Sequence, residues 1–149
     1  MKTMVLMLIA LLAYGNTLPK DLVCNTVDKA TVEKALKRSF KHARAGSLPI
    51  EPPYDVSFCE YLDKVLPIFS IYYFGGAKSY DTVIPPFDTT QEIKGIGFDA
   101  KIAIDPSSKK IVQLVARTQK GVLSFIFSEG VDDISSELEL MKQLRTQFK

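Results

Sequence analysis

Apolar and polar positions alternate along this chain with two different periods. Between residues 31 and 45, Val32, Ala35, Leu36, Phe40 and Ala43 recur at helical spacing, with Lys29, Glu33, Lys34, Lys37, Arg38, Lys41 and Arg44 filling the other positions. The pattern predicts an amphipathic helix capped by Thr26 or Asp28 and stopped by Gly46. Pro49, Pro52 and Pro53 then make residues 48–54 a rigid loop, because each removes a backbone donor and fixes φ. Residues 56–66 carry no decisive period. Residues 68–74 (IFSIYYF) read as a buried strand ended by Gly75-Gly76, and a short strand at 80–84 is stopped by Pro85-Pro86.

Residues 92–98, 100–104, 111–117 and 122–127 are four further strand-like runs. Turns at Pro106-Ser107-Ser108 and Lys120-Gly121 are short enough to require antiparallel neighbours. Between residues 131 and 148, Val131, Ile134, Leu138, Met141 and Leu144 recur as a second amphipathic helix, widened by Leu140 and Phe148. The resulting order is helix, loop, antiparallel sheet of four or five strands, helix, which is an α+β domain.

The first fifteen residues stand apart. Lys2, the apolar run from Met4 to Ala13, and the small residues Ala13 and Gly15 read as a secretory signal peptide, with cleavage after Gly15 preferred and Thr17 as an alternative cut. The run is too short to span a bilayer. The organisation is therefore a leader over 1–15 and one secreted domain over 16–149, with no membrane partner. Of 19 basic and 17 acidic residues, the leader removes only Lys2, so the mature chain carries about +1 and exerts little global pull on nucleic acid. In an oxidising compartment Cys24 and Cys59 suggest one disulfide; two buried thiols are the other reading of the same pair.

Candidate chemistry is sparse. Two Cys and one His argue against a structural zinc site, and no metal or cofactor is expected. The chain contains no GxxxxGK[ST], GxSxG or HExxH, and Gly95-Ile96-Gly97, set among strands, fits a sharp strand bend better than phosphate binding. His42 falls near the end of the first helix, where it can meet terminal carbonyls. No catalytic residue is assigned, and the chain is expected not to be an enzyme. Tyr72, Tyr73 and Tyr80 flank the Gly-Gly, and alternation places Tyr72 and Phe74 on one side of their strand with Tyr73 on the other. Sheet aromatics beside cations stack and neutralise single-stranded nucleic acid; they also serve as ordinary core and rim.

The opening Cys24-Asn25-Thr26 into a helix, the LPIFS of residues 66–70 and the paired run over residues 100–118 resemble the small secreted fungal guanyl-type ribonucleases. The resemblance implies an N-terminal helix packed on a curved antiparallel sheet of four to five strands, with the C-terminal helix as an addition. Its catalytic Arg position falls on Lys101 and its acid His position on Arg117, and an Arg cannot give up a proton near neutrality. The base position falls near Val65.

A ribonuclease fold without its catalytic set is similar to the RNase-like secreted effectors of powdery mildew fungi. That likeness implies delivery into the cytoplasm of host plant cells, and modulation of immunity by binding host RNA or protein. Lys101, Arg117, Tyr72, Tyr73 and Tyr80 would be the contact residues, and an intracellular immune receptor a possible partner. A secreted cystatin-like or NTF2-like binding or inhibitor module is the alternative, and it would place an apolar cavity behind Tyr72–Phe74.

Overall fold

The computed structural model describes residues 18–48, 55–81, 83–85 and 89–149. The leader over 1–15 and most of the proline-rich loop over 48–54 lie outside the described residues. Two short helices, α1 (Leu22–Thr26) and α2 (Lys29–Leu36), open the domain. Seven strands follow: β1 (His42–Leu48), β2 (Asp55–Leu62), β3 (Pro67–Gly75), β4 (Thr89–Ile93), β5 (Ala100–Ile104), β6 (Ile111–Arg117) and β7 (Gly121–Val131). A third helix, α3 (Ser135–Leu144), comes last.

All seven strands form one antiparallel sheet in the order β1-β2-β3-β7-β6-β5-β4. It consists of two meanders, β1–β3 and β4–β7, joined along β3 and β7. This corrects the expectation of an N-terminal helix packed on a curved sheet of four to five strands, and with it the ribonuclease-like layout. The error has a local cause. Asp28 caps α2 by accepting from the Thr31 N–H (2.7 Å), but the helix stops at Leu36, and Lys37 turns the chain in the left-handed region at φ 51°. The Arg38 N–H donates to the Glu33 carbonyl and the Phe40 N–H to the Glu33 carboxylate (2.6 Å), which fixes that turn.

Residues 42–48 (HARAGSL) then extend as an edge strand paired with β2. Their alternation of small and polar residues is a strand period hidden beneath good helix-forming Ala and Arg. His42 is therefore an exposed residue at the start of an edge strand, not at a helix end. The second helix is shorter than its apolar pattern, because Val131 belongs to the long strand β7. The described residues of 80–84, which leave out residue 82, form turns and bends and no strand. β4 ends at Ile93, and Gly95 (φ 79°) and Gly97 (φ 80°) bend the chain into β5 in a conformation that costs glycine little.

The helices lie on one face of the sheet. Val23, Val27 and Val32 meet Tyr61, Phe69, Ile71, Leu114, Leu123 and Phe125 in a core that Leu140, Met141 and Leu144 of α3 complete. Cys24 and Cys59 form a disulfide between α1 and β2, with Cα atoms 5.0 Å apart. Closing a loop of this length is worth roughly 3–4 kcal/mol through the entropy removed from the unfolded chain. Tyr61 reaches across the same layer, donating its hydroxyl to the Val27 carbonyl at 2.9 Å. On the opposite face, the connection from β3 to the distant edge strand β4 lies over β5–β7. There Ala77, Tyr80 and Ile84 pack on Ala103, Val115 and Val122.

Candidate functional site

The residues singled out in the sequence divide between the two faces. Tyr72 and Phe74 point away from the helices and Tyr73 towards them, as alternation requires. Tyr73 is buried against Phe148, ring centroids 4.9 Å apart, so the space behind it is filled by a side chain. Tyr72 is half-buried in a ladder with Phe58 (4.9 Å) and Phe74 (6.2 Å). Gly46 makes room for that ladder, since a Cβ at this position would overlap the Phe58 ring. Burial and the nearby Glu60 carboxylate push the Tyr72 phenol up, while Arg44 pulls it the other way.

A single cross-strand row runs Phe58, Tyr72, Ser124, Val115, Lys101, Glu92. Tyr72 and Lys101 thus share a face but stand three strands apart. The structure does bring Lys101, Arg117 and Tyr80 together. The Tyr80 ring lies 5.5 Å from the Lys101 ammonium and 5.4 Å from the Arg117 guanidinium, which are cation–π distances. Tyr80 is only 5% exposed, however, and its hydroxyl donates to the Asp99 carbonyl at 2.9 Å. Burial, and then the Asp99 charge, push this phenol above its ordinary range. Arg117 donates to the Asp99 carboxylate (3.2 Å) and to the Lys78 carbonyl (2.5 Å), and Lys101 sits 4.0 Å from Glu92. The ring has no face to offer a base, and both cations already have acidic neighbours. The cluster pins the β3–β4 connection to the sheet.

Open space lies beside this cluster, and Asp99 and Arg117 border both. Where β5 begins and β6 ends, Gly97, Phe98 and Asp99 face Arg117, Thr118 and Gln119 across a cleft of about 490 Å³. The turn after α3 closes its other side with Arg145, Thr146, Phe148 and Lys149. The Arg145 guanidinium lies over the Phe98 ring at 4.6 Å. Two buried side-chain polar atoms lack any hydrogen-bond partner among the described residues, Arg145 Nε and Thr118 Oγ1, and both belong to residues that line this cleft. Thr118 is only 7% exposed. Its hydroxyl lies near the Tyr73 phenol and partly offsets the upward push that burial gives that group.

Among the described residues, ion pairs join Lys29 to Glu33, Arg44 to Glu60, Lys101 to Glu92 and Arg117 to Asp99; neither Arg145 nor Lys149 takes part in one. A buried donor without an acceptor costs about 1–3 kcal/mol, so unpaired atoms gathered in one cleft call for an explanation.

Of the residues lining this cleft, the sequence reading names only Arg117 as a contact residue. The cleft's residues come from three segments whose proximity no local pattern encodes, and Arg145 reads as one more polar residue on the solvent side of a helix. No group of three or more His, Cys, Asp or Glu side chains that could hold a metal occurs among the described residues. No protein-family model, curated protein or solved structure matches the chain. The site's chemistry must be read from its own atoms.

Proposed function

We propose that this chain is a secreted protein that acts by binding rather than by turnover. Its recognition centre is the cleft between the end of β5–β6 and the turn after α3. The observation that carries this reading is the concentration of unpaired groups there. Among the described residues, Arg145 Nε and Thr118 Oγ1 are buried without hydrogen-bond partners and neither Arg145 nor Lys149 has a carboxylate partner, whereas Arg44, Lys101 and Arg117 are paired. Secretion is supported by the apolar run that follows Lys2 and by the disulfide, a bond that persists in oxidising compartments.

A host-directed effector role, with RNA or an immune receptor as partner, was implied by likeness to a ribonuclease scaffold. The observed sheet order removes that scaffold, so the proposal keeps secretion and binding and carries the effector role no further. Expression of the full chain in a secreting host, followed by amide-shift mapping of the protein from the medium against small fragments of mixed charge, tests the reading. Responding amides should gather at residues 97–99, 117–119 and 145–149. Responses confined to Phe58, Tyr72 and Phe74 would move the recognition centre to the open sheet face.

A further inference from the structure

We infer that the cleft takes a small organic oxyanion, a phosphate or carboxylate, with its charged group held by Arg145 and Thr118 and its apolar body against the Phe98–Phe148 wall. The inference rests on the cleft being the recognition centre and adds the class of ligand.

Charge argues for an anion. The side chains of Arg117, Arg145 and Lys149 line the cleft against one side-chain carboxylate, Asp99, and that carboxylate already accepts from Arg117 at 3.2 Å. Arg145 has its guanidinium layered on Phe98 at 4.6 Å, a contact that orients the group without satisfying its N–H donors. The Thr118 hydroxyl can donate to the same incoming group. An oxyanion seated beside Arg145 would give its guanidinium the charged partner it lacks among the described residues, and hydrogen bonds to an ionised acceptor are the stronger kind.

Size and lining argue for an organic ligand. A cleft of about 490 Å³ far exceeds what a bare oxyanion fills, and Phe98 and Phe148 supply its apolar wall. The charge pattern also argues for a single anionic group rather than a nucleic-acid backbone. The cations that could extend a phosphate track along the sheet, Lys101 and Arg44, sit at 4.0 and 2.6 Å from Glu92 and Glu60.

The test is a titration of the secreted protein with four probes: inorganic phosphate, phenyl phosphate, benzoate and the uncharged benzyl alcohol. Phenyl phosphate or benzoate should bind at the cleft amides more tightly than inorganic phosphate and benzyl alcohol, and whichever is tighter tells phosphate from carboxylate. Binding should weaken as salt rises. Arg145→Gln should weaken it at least about tenfold and Thr118→Val several-fold, as expected for lost hydrogen bonds to a charged group. Lys101→Gln should leave it unchanged. Melting temperatures no lower than that of the wild-type protein would show that the variants fold.

Equal affinity for benzyl alcohol and phenyl phosphate, or full affinity in Arg145→Gln, overturns the inference. If no anion binds but neutral fragments still map to the cleft, the oxyanion fails and the recognition centre stands; if nothing maps there, both fail. Salt-sensitive single-stranded RNA that displaces phenyl phosphate would also overturn the small ligand.

Discussion

Two groups of cations sit beside aromatic rings in this molecule, and they differ in what neutralises them. Lys101 and Arg117 flank Tyr80 at similar distances, 5.5 and 5.4 Å, and each has a carboxylate within reach, Glu92 at 4.0 Å and Asp99 at 3.2 Å. Arg145 lies over Phe98 at 4.6 Å with no carboxylate partner among the described residues and a buried Nε that donates to nothing. By composition the two groups look alike. By hydrogen-bond accounting the first is complete and the second is not, and a site capable of recognition needs the second condition. Exposed ion pairs such as those of Lys101 and Arg117 contribute at most about 1 kcal/mol each, so their value lies in fixing the Tyr80 ring between them.

Substitutions can break this contrast. The largest effect should come from Tyr80→Ala, which empties a buried ring position beneath the β3–β4 connection and should cost about 3–5 kcal/mol in urea unfolding. A cost below about 1 kcal/mol would mean that the ring is not a structural pin. Thr118→Val should act in the opposite direction, raising stability by roughly 1 kcal/mol, because it deletes a buried hydroxyl that has no partner. A clear loss of stability would show that the hydroxyl is satisfied by Tyr73 and is not waiting for a ligand.

Tyr80→Phe keeps the ring and removes only the bond to the Asp99 carbonyl, at about 1 kcal/mol. It also bears on pH dependence. In the fold, burial holds the Tyr80 and Tyr61 phenols protonated above their ordinary value of 10.0. Above about pH 10 the unfolded chain releases these protons while the folded chain retains them. The stability tied to the neutral phenols is therefore fully present below pH 10 and lost as pH rises beyond it. Alkaline unfolding curves should be shallower for Tyr80→Phe, and Tyr61→Phe should flatten them further. Arg117→Gln should cost below about 1 kcal/mol at low salt and less at high salt, and the smallest effect should be that of Arg145→Gln, which should not destabilise the fold. A destabilised Arg145→Gln protein would place Arg145 among the structural cations.

Much of the sheet can be read from single segments. The runs over 100–104, 111–117 and 122–127 fall on β5, β6 and β7, where period-two alternation and short turns leave few options. The same alternation sorts Tyr72 from Tyr73 correctly, and Cys24 and Cys59 do pair. The N-terminal half is harder. Phe40 falls on a helical period with Leu36 and Ala43, yet it is buried beside Tyr61 because the chain reverses at Lys37 and re-enters the core by another route. Tertiary pairing with β2 overrides the helix propensity of His42–Leu48.

The cleft is invisible for a related reason. Phe98, Thr118 and Arg145 are ordinary residues in their own segments, and only the meeting of the β4–β5 bend, the β6–β7 turn and the end of α3 makes them a site. Lys101 and Arg117 are singled out through the ribonuclease resemblance and Tyr80 beside Tyr72 and Tyr73; that Lys101, Arg117 and Tyr80 meet, through contacts to Asp99, Glu92 and Lys78, is not legible.

The account rests most directly on the contrast between Arg145 and Lys101, and one paired titration addresses it. Phenyl phosphate would be titrated into the secreted wild-type protein, Arg145→Gln and Lys101→Gln at low and moderate salt. The account predicts at least about a tenfold loss of affinity for Arg145→Gln and wild-type affinity for Lys101→Gln. Equal losses in the two variants, or a loss in Lys101→Gln alone, would contradict it.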